Sequence, residues 1–174
     1  MFSIKYRITQ DIKDIQSLSV EEFEKDDIAG FIKLQFNENS YGYYHDTENT
    51  WGEEYLTKWF EYLVETIQTL NTSNYVAISD TESYNSWIEI TRQDKYITVN
   101  NVYAEKIGLG AIVTSKLKNV KYAKCWKETV LPLNEFKKEV QYELSKYIDE
   151  ITKINPNLIK SSRIKKLELI FINI

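Results

Sequence analysis

The close spacing of strand-like segments in the second half of the chain is what most constrains its fold. Residues 75–79, 86–92, 96–104 and 120–130 are rich in β-branched and aromatic side chains, which favour strands. The connections between the first three segments are short and polar, whereas a parallel crossover needs roughly a dozen residues or more. The spacing therefore predicts antiparallel hairpins.

Two amphipathic helices interrupt the strand-like segments. Apolar residues recur at three- and four-residue steps over residues 56–70 and again over residues 136–151. Asn134 is the predicted N-cap of the second helix, and Asn155-Pro156 ends it, because the residue before a proline avoids the helical conformation. The order strands, helix, strands, helix predicts an α+β fold, with a mainly antiparallel sheet and two long helices packed on one face.

The remaining segments complete a single predicted domain over residues 1–174. Residues 2–8 alternate apolar and polar side chains as a half-buried strand does. Ser19 and Glu22 form a capping-box pattern before a short acidic helix over residues 19–27. Residues 28–36 and 41–44 predict a hairpin with a tyrosine-rich return strand. Residues 158–166 predict a short helix, and the apolar residues 167–174 fit either a last strand or a docked tail.

Charge is unevenly distributed along the chain. The first sixty residues contain twelve acidic and six basic residues, so they carry −6, whereas the remainder carries +2. The whole chain carries −4 with a pI of about 5.2, which argues against nucleic acid as a partner. A basic run near the C-terminus is interpreted as a solvated helix face. Its members are Lys160, Arg163, Lys165 and Lys166.

A single cysteine, Cys125, excludes an intramolecular disulfide and fits a reducing compartment. Its place in a predicted strand indicates a small buried side chain. The N-terminus has basic residues within its apolar run and lacks the pattern of a signal peptide, and no apolar stretch reaches the roughly 18 residues of a membrane span. We therefore expect a cytoplasmic protein that does not associate with membranes.

The chain contains no pattern typical of a catalytic, metal or cofactor site. His45, the only histidine, is expected at the surface of a turn, since a lone histidine is rarely catalytic. A catalytic pair with Asp46 is disfavoured, because adjacent residues of an extended chain point to opposite sides. Phosphate-binding glycine motifs, nucleophile elbows and metalloprotease motifs are absent from the sequence. We expect no cofactor and no metal. A hydrolase with two paired carboxylates stays open as an alternative, since the chain has 26 acidic residues.

The strongest candidate for function is an aromatic surface with acidic neighbours. Tyrosine and tryptophan are the residues that most often anchor protein interfaces, and acids around them attract a basic partner. The same tyrosines also fit an ordinary sheet face with solubilising acids, or a homodimer interface, and the sequence leaves these readings open. The predicted partner-binding residues are Tyr43, Tyr44, Asp46, Glu48, Trp51 and Glu54.

A second aromatic segment lies between two predicted strands, at residues 81–87. Glu82, Tyr84 and Trp87 would either extend the candidate surface or form a turn whose tryptophan fills the core.

In outline the chain resembles the immunity proteins of bacterial polymorphic toxin systems. The resemblance rests on the helix around Trp59-Phe60, on Tyr84-Asn-Ser-Trp87, and on Leu133-Asn-Glu-Phe136 at the start of a long helix. It implies a small single-domain inhibitor that binds a cognate toxin and needs no cofactor. The resemblance assigns no individual binding residue, and the sequence leaves the oligomeric state open.

Overall fold

The computed structural model describes residues 1–47, 51–79, 85–105, 110–126 and 128–172. The strands are β1 (Phe2–Ile8), β2 (Ala29–Phe36), β3 (Asn39–Gly42), β4 (Glu54–Tyr55), β5 (Tyr75–Ser79), β6 (Ser86–Gln93), β7 (Tyr96–Tyr103), β8 (Ile112–Val113), β9 (Lys121–Tyr122) and β10 (Thr129–Pro132). The α-helices are α1 (Ile12–Ser17), α2 (Val20–Lys25), α3 (Leu56–Thr72), α4 (Leu133–Ile154) and α5 (Ser162–Glu168).

The strands form two antiparallel sheets. In the smaller sheet β2 lies between β1 on one edge and β3 and β4 on the other. The larger sheet has the order β10-β7-β6-β5-β8, and β9 also pairs with β7. Every pairing is antiparallel, as the short connections predict. The division into two sheets is a feature that the strand pattern does not show.

One hydrophobic core joins both sheets to the two longest helices. Helix α3 packs against β5 and β2, while α4 packs against β1 and β10. The rings of Phe60 on α3 and Tyr147 on α4 stack with centroids 4.8 Å apart. The Tyr147 hydroxyl also shares a buried hydrogen bond of 2.6 Å with Thr57. The predicted α+β class is therefore confirmed, with the long helices on the core side of both sheets.

A second, smaller core covers the opposite side of the larger sheet. Trp87 is fully buried there, and its indole N–H donates to the carbonyl of Ala104 at 3.0 Å. Leu117, from residues 110–126, packs over the same side. Trp87 thus fills a core instead of extending a surface, whereas Glu82 and Tyr84 lie outside the described residues.

Residues 120–130 do not form one continuous strand. They hold the short β9 and the start of β10, and Cys125 between them is exposed, so the prediction of a buried cysteine in a strand is wrong. The predicted N-cap at Asn134 is also wrong, because α4 begins at Leu133 directly after Pro132. The Leu133 N–H donates to the carbonyl of Lys95, in the turn between β6 and β7, so strand leads into helix without a capping turn.

Several local predictions are confirmed and others shift. Strand β1 has the predicted bounds, and α2 begins with the predicted capping box of Ser19 and Glu22. Helix α1 was not predicted, because it buries only Ile15 and shows almost no apolar period. The return strand of the hairpin ends at Gly42, whose φ of +78° turns the chain away, so it lies two residues earlier than expected.

The C-terminal residues are helical. A 3-10 turn at Pro156–Lys160 precedes α5, and another at Leu169–Phe171 follows it. Leu167 and Ile170 are buried against the core, so this tail docks and a last strand is excluded for residues 167–172. In the part of the chain that the structure describes, no helix has the length and apolarity to cross a bilayer.

Candidate functional site

The candidate surface is built on the outer side of the smaller sheet, opposite the core. Phe31 of β2 points to this side and is nevertheless fully buried. The guanidinium of Arg7 lies over one part of the Phe31 ring at 5.3 Å, and the His45 ring meets it edge-on at 5.2 Å. Both contacts are favourable for a phenylalanine ring, because its face attracts a cation and an edge-to-face arrangement is a preferred aromatic geometry. Together they fix the loop after β3 to the sheet.

The Arg7 side chain also binds backbone carbonyls of that loop. One terminal nitrogen of Arg7 donates to the Thr47 carbonyl at 2.8 Å, and the other lies 3.5 Å from the Asp46 carbonyl. Arg7 and Phe31 are directly opposite in the β1–β2 register, which places them side by side on one face. The loop is therefore seated on residues that two neighbouring strands supply.

The loop presents two aromatic rings to solvent. Tyr43 and Trp51 lie with ring centroids 4.9 Å apart and planes tilted by 57°. Their exposed fractions are 48% and 65%. Gly52 has a φ of +86°, and a Cβ at this position would lie 3.0 Å from the Tyr43 ring, so glycine permits the close approach. We call Tyr43 and Trp51 the aromatic pair.

The other predicted binding residues differ in their exposure and in their contacts. Tyr44 is half-buried, with the Lys5 ammonium 6.0 Å from its ring, and Asp46 is exposed. Glu54 is half-buried and accepts a hydrogen bond of 3.1 Å from the Trp59 indole, so its carboxylate supports α3. Glu48 lies outside the described residues.

Basic residues share this side of the sheet with the acids. Lys5 is directly opposite Lys33, next to the pair formed by Arg7 and Phe31, so three cations belong to the same face. The surface is consequently mixed in charge around the aromatic pair. The alternation of residues 2–8 already places Lys5 and Arg7 on one face, but the predicted binding residues do not include them.

His45 is more buried than a turn histidine usually is. Its ring is half-buried against Phe31, and its Nε2 atom is buried without a hydrogen-bond partner among the described residues. The contact with Phe31 gives this side chain a packing role on the outer side of the smaller sheet.

An open groove of about 1180 Å³ lies between α2, α3 and α5. Arg163 forms part of its floor and donates to Glu61 at 2.7 Å, to Asp27 at 2.8 Å and to the Phe23 carbonyl at 3.0 Å. The interpretation of Arg163 as a solvated residue is therefore wrong, because only its neighbours in the basic run are exposed.

The carboxylates in this groove serve the fold. The Asp27 side chain accepts from the backbone N–H groups of Thr57 and Lys58, which belong to the first turn of α3. Glu24 accepts from the Ser162 hydroxyl at 2.8 Å, and this hydrogen bond lowers the pKa of the Glu24 carboxyl. Because these groups are occupied by helix starts and by Arg163, the groove shows how α5 is attached and does not indicate a ligand.

Within the described ranges, no three or more His, Cys, Asp and Glu side chains gather in a way that could hold a metal ion. Comparison of the chain with protein-family models, curated proteins and solved structures found no match.

Proposed function

We propose that the chain is a non-catalytic binding protein that docks a protein partner on the aromatic pair. The observation that carries this proposal is the exposure of Tyr43 and Trp51, whose rings pack against each other with centroids 4.9 Å apart. A large ring that is already held in place loses little conformational freedom on binding, so most of its apolar burial contributes to affinity.

The size of the effect is that of an interface hot spot. Covering an exposed tyrosine or tryptophan removes on the order of 100 Å² of mostly apolar surface from water, which contributes about 2–3 kcal/mol per ring. Tyr44 and Asp46 follow Tyr43 closely in sequence, and Glu48 comes after them. The cations Lys5 and Arg7 balance these acids, so we assign affinity to the rings and orientation to the charges.

The role that we propose for this binding is toxin neutralisation in the bacterial cytoplasm, which agrees with the resemblance of the sequence to immunity proteins. The partner would be a toxin domain with a basic, partly apolar recess. An exposed ring would enter that recess while Asp46 pairs with a cation at its edge. Inhibition would then follow from steric occlusion, without a reaction on this chain.

The test is co-expression with the toxin candidate encoded by the neighbouring gene, followed by calorimetry with an inactivated form of that toxin. Trp51→Ala and Tyr43→Ala should each lower affinity by about tenfold or more, because each removes one anchor. Growth protection should weaken in parallel. Asp46→Lys should weaken binding by a smaller factor that shrinks as salt is added.

Tyr142→Ala is the matched control, since Tyr142 is 62% exposed but belongs to α4, on the other side of the smaller sheet. It should leave affinity unchanged, and all variants should unfold at the wild-type urea concentration. Equal affinity of wild type and Trp51→Ala would refute the proposed surface. If Trp51→Ala instead dissociates a dimer in size exclusion, the aromatic pair joins two copies of this chain.

A further inference from the structure

Two polar side chains lie next to each other on the side of the larger sheet that carries the second core. Glu89 of β6 is directly opposite Asn100 of β7, while Ile88, Ile90 and Val99 beside them in sequence belong to the core shared with the helices. Because side chains alternate along a strand and opposite residues share a face, the two polar groups project together, with their Cβ atoms about 5 Å apart. Each residue keeps 8% of its exposure, so both are buried.

The polar atoms of this pair are only partly satisfied. One carboxylate oxygen of Glu89 accepts from the Tyr75 hydroxyl at 3.0 Å, and no lysine or arginine among the described residues pairs with this carboxylate. Within the same part of the chain the Asn100 side chain forms no hydrogen bond. A buried carboxylate is unfavourable unless a cation or several hydrogen bonds compensate its charge, so the pair favours a cationic ligand.

An exposed tyrosine borders the polar pair. Tyr122 of β9 is opposite Val102, which lies two residues along β7 from Asn100, so the Tyr122 side chain projects from the same face. Burial raises the pKa of the Tyr75 hydroxyl, and repulsion from Glu89 and Tyr122 adds to this shift, which places both side chains near that hydroxyl. The Tyr122 ring is 64% exposed. We call Glu89, Asn100 and Tyr122 the carboxylate site.

We propose that the carboxylate site binds an arginine side chain of a protein partner. A guanidinium carries donors along one planar edge, which can meet the second Glu89 oxygen and the Asn100 side-chain oxygen side by side. Its face can lie against the Tyr122 ring, where the quadrupole of the ring attracts a cation. Lysine would supply the charge without the planar edge, so arginine fits the site better.

The charge of the whole molecule agrees with a cationic ligand. The chain carries −4, which attracts a basic partner from a distance. The carboxylate site belongs to the larger sheet, whereas the aromatic pair lies on the smaller sheet. The inference therefore goes beyond the proposed function and does not depend on it.

The experiment is a nuclear magnetic resonance titration of the full, isotope-labelled chain with the capped tripeptide Gly-Arg-Gly. The same tripeptide with citrulline in place of arginine is the ligand control, because citrulline keeps the shape and loses the charge. The arginine peptide should shift the signals of the Asn100 side-chain amide in a saturable way. Its Kd should be lower than that of the citrulline peptide by about tenfold or more, because it makes charge-assisted hydrogen bonds.

Glu89→Gln keeps an acceptor for the Tyr75 hydroxyl and removes the charge, so it should raise the Kd of the arginine peptide about tenfold. Glu65→Gln is the matched control, since it makes the same change on an exposed residue of α3, which packs on the other side of the larger sheet. It should change the Kd less than about twofold. Should Glu89→Gln fail to fold, Tyr122→Ala, a change at an exposed ring, should still raise the Kd about threefold.

Equal affinity for the arginine and citrulline peptides would overturn the proposal, because the site would then not recognise charge. An unchanged Kd in Glu89→Gln, or in Tyr122→Ala where that variant replaces it, would overturn it as well. So would a titration in which the arginine peptide leaves the Asn100 amide signals unshifted.

Discussion

At the scale of single residues, Arg163 joins the C-terminal helix to the start of α3. Its guanidinium meets two carboxylates, Asp27 and Glu61, and lies over the Phe23 ring at 5.2 Å. Burial by itself lowers the pKa of Arg163, but the hydrogen bonds to Glu61 and Asp27 outweigh it and the pKa is raised. Removing this side chain would take the cation away from Asp27 and leave Glu61 with the more exposed Lys58, 3.4 Å away.

We expect Arg163→Met to destabilise the protein by about 3 kcal/mol, because breaking a largely buried ion pair leaves uncompensated charge behind. Urea unfolding followed by circular dichroism measures this loss. Lys166→Met is the control, as Lys166 is exposed on the same helix and should cost less than about 0.5 kcal/mol. Similar midpoints for both variants would mean that the Arg163 network contributes little.

At the scale of elements, helix α4 protects the free edge of the smaller sheet. Among the described strands β1 pairs only with β2, so half of its backbone N–H groups point away from the sheet. Glu135 accepts from the Phe2 N–H at 3.0 Å, and Glu139 accepts from the Ile4 N–H at 2.9 Å. The two glutamates are one helical turn apart, which matches the spacing of alternate residues along the strand.

Glu139→Ala should uncover the Ile4 N–H and destabilise the fold by about 1–2 kcal/mol, the cost of a lost hydrogen bond to a charged acceptor. Hydrogen exchange should quicken at Ile4. Glu139→Gln retains an acceptor oxygen and should restore most of the protection. Lys138→Ala, an exposed change on the same helix, should have no effect on Ile4. If the alanine variant exchanges as slowly as wild type at Ile4, the carboxylate does not protect the edge.

At the scale of the whole molecule, four packed tyrosines make the free energy of unfolding depend on pH in the alkaline range. Burial raises the pKa of Tyr6, Tyr62, Tyr75 and Tyr147, and for Tyr62 the value reaches about 12. An unfolded tyrosine ionises near a pH of about 10. A folded-state pKa above that value means that stability is complete below pH about 10 and declines as pH rises toward about 12.

Tyr62→Phe should leave stability at neutral pH nearly unchanged and make the alkaline decline shallower. The difference in slope should reach up to about 1.4 kcal/mol per pH unit, since one proton fewer is released on unfolding. Urea unfolding at several pH values between about 9 and 11 measures it. Tyr142→Phe removes an exposed hydroxyl and should keep the wild-type slope. A Tyr62→Phe profile that matches the wild type would exclude this coupling.

The elements that the sequence predicts well are those whose pattern is local. Alternation along Phe2–Ile8 and the period of α3 and α4 depend on neighbouring residues only, and the capping box of Ser19 and Glu22 spans a single turn. Helix α1 escaped prediction because one buried residue makes no period. For the candidate surface, the predicted binding residues include Tyr43 and Trp51 but not Lys5 and Arg7, since these cations come from another strand.

Sequence alone determined the antiparallel α+β class, the two long helices and the crowding of tyrosine and tryptophan around residues 41–55. Only the tertiary structure decided that Tyr43 and Trp51 face solvent while Phe31 and Trp87 are buried, and that Arg163 is an anchor and Cys125 is exposed. The physical reason is the distance along the sequence over which residues decide each property. A side chain's place along a helix or strand follows from its neighbours in sequence, whereas its burial and its charge partners depend on residues that folding brings from distant parts of the chain.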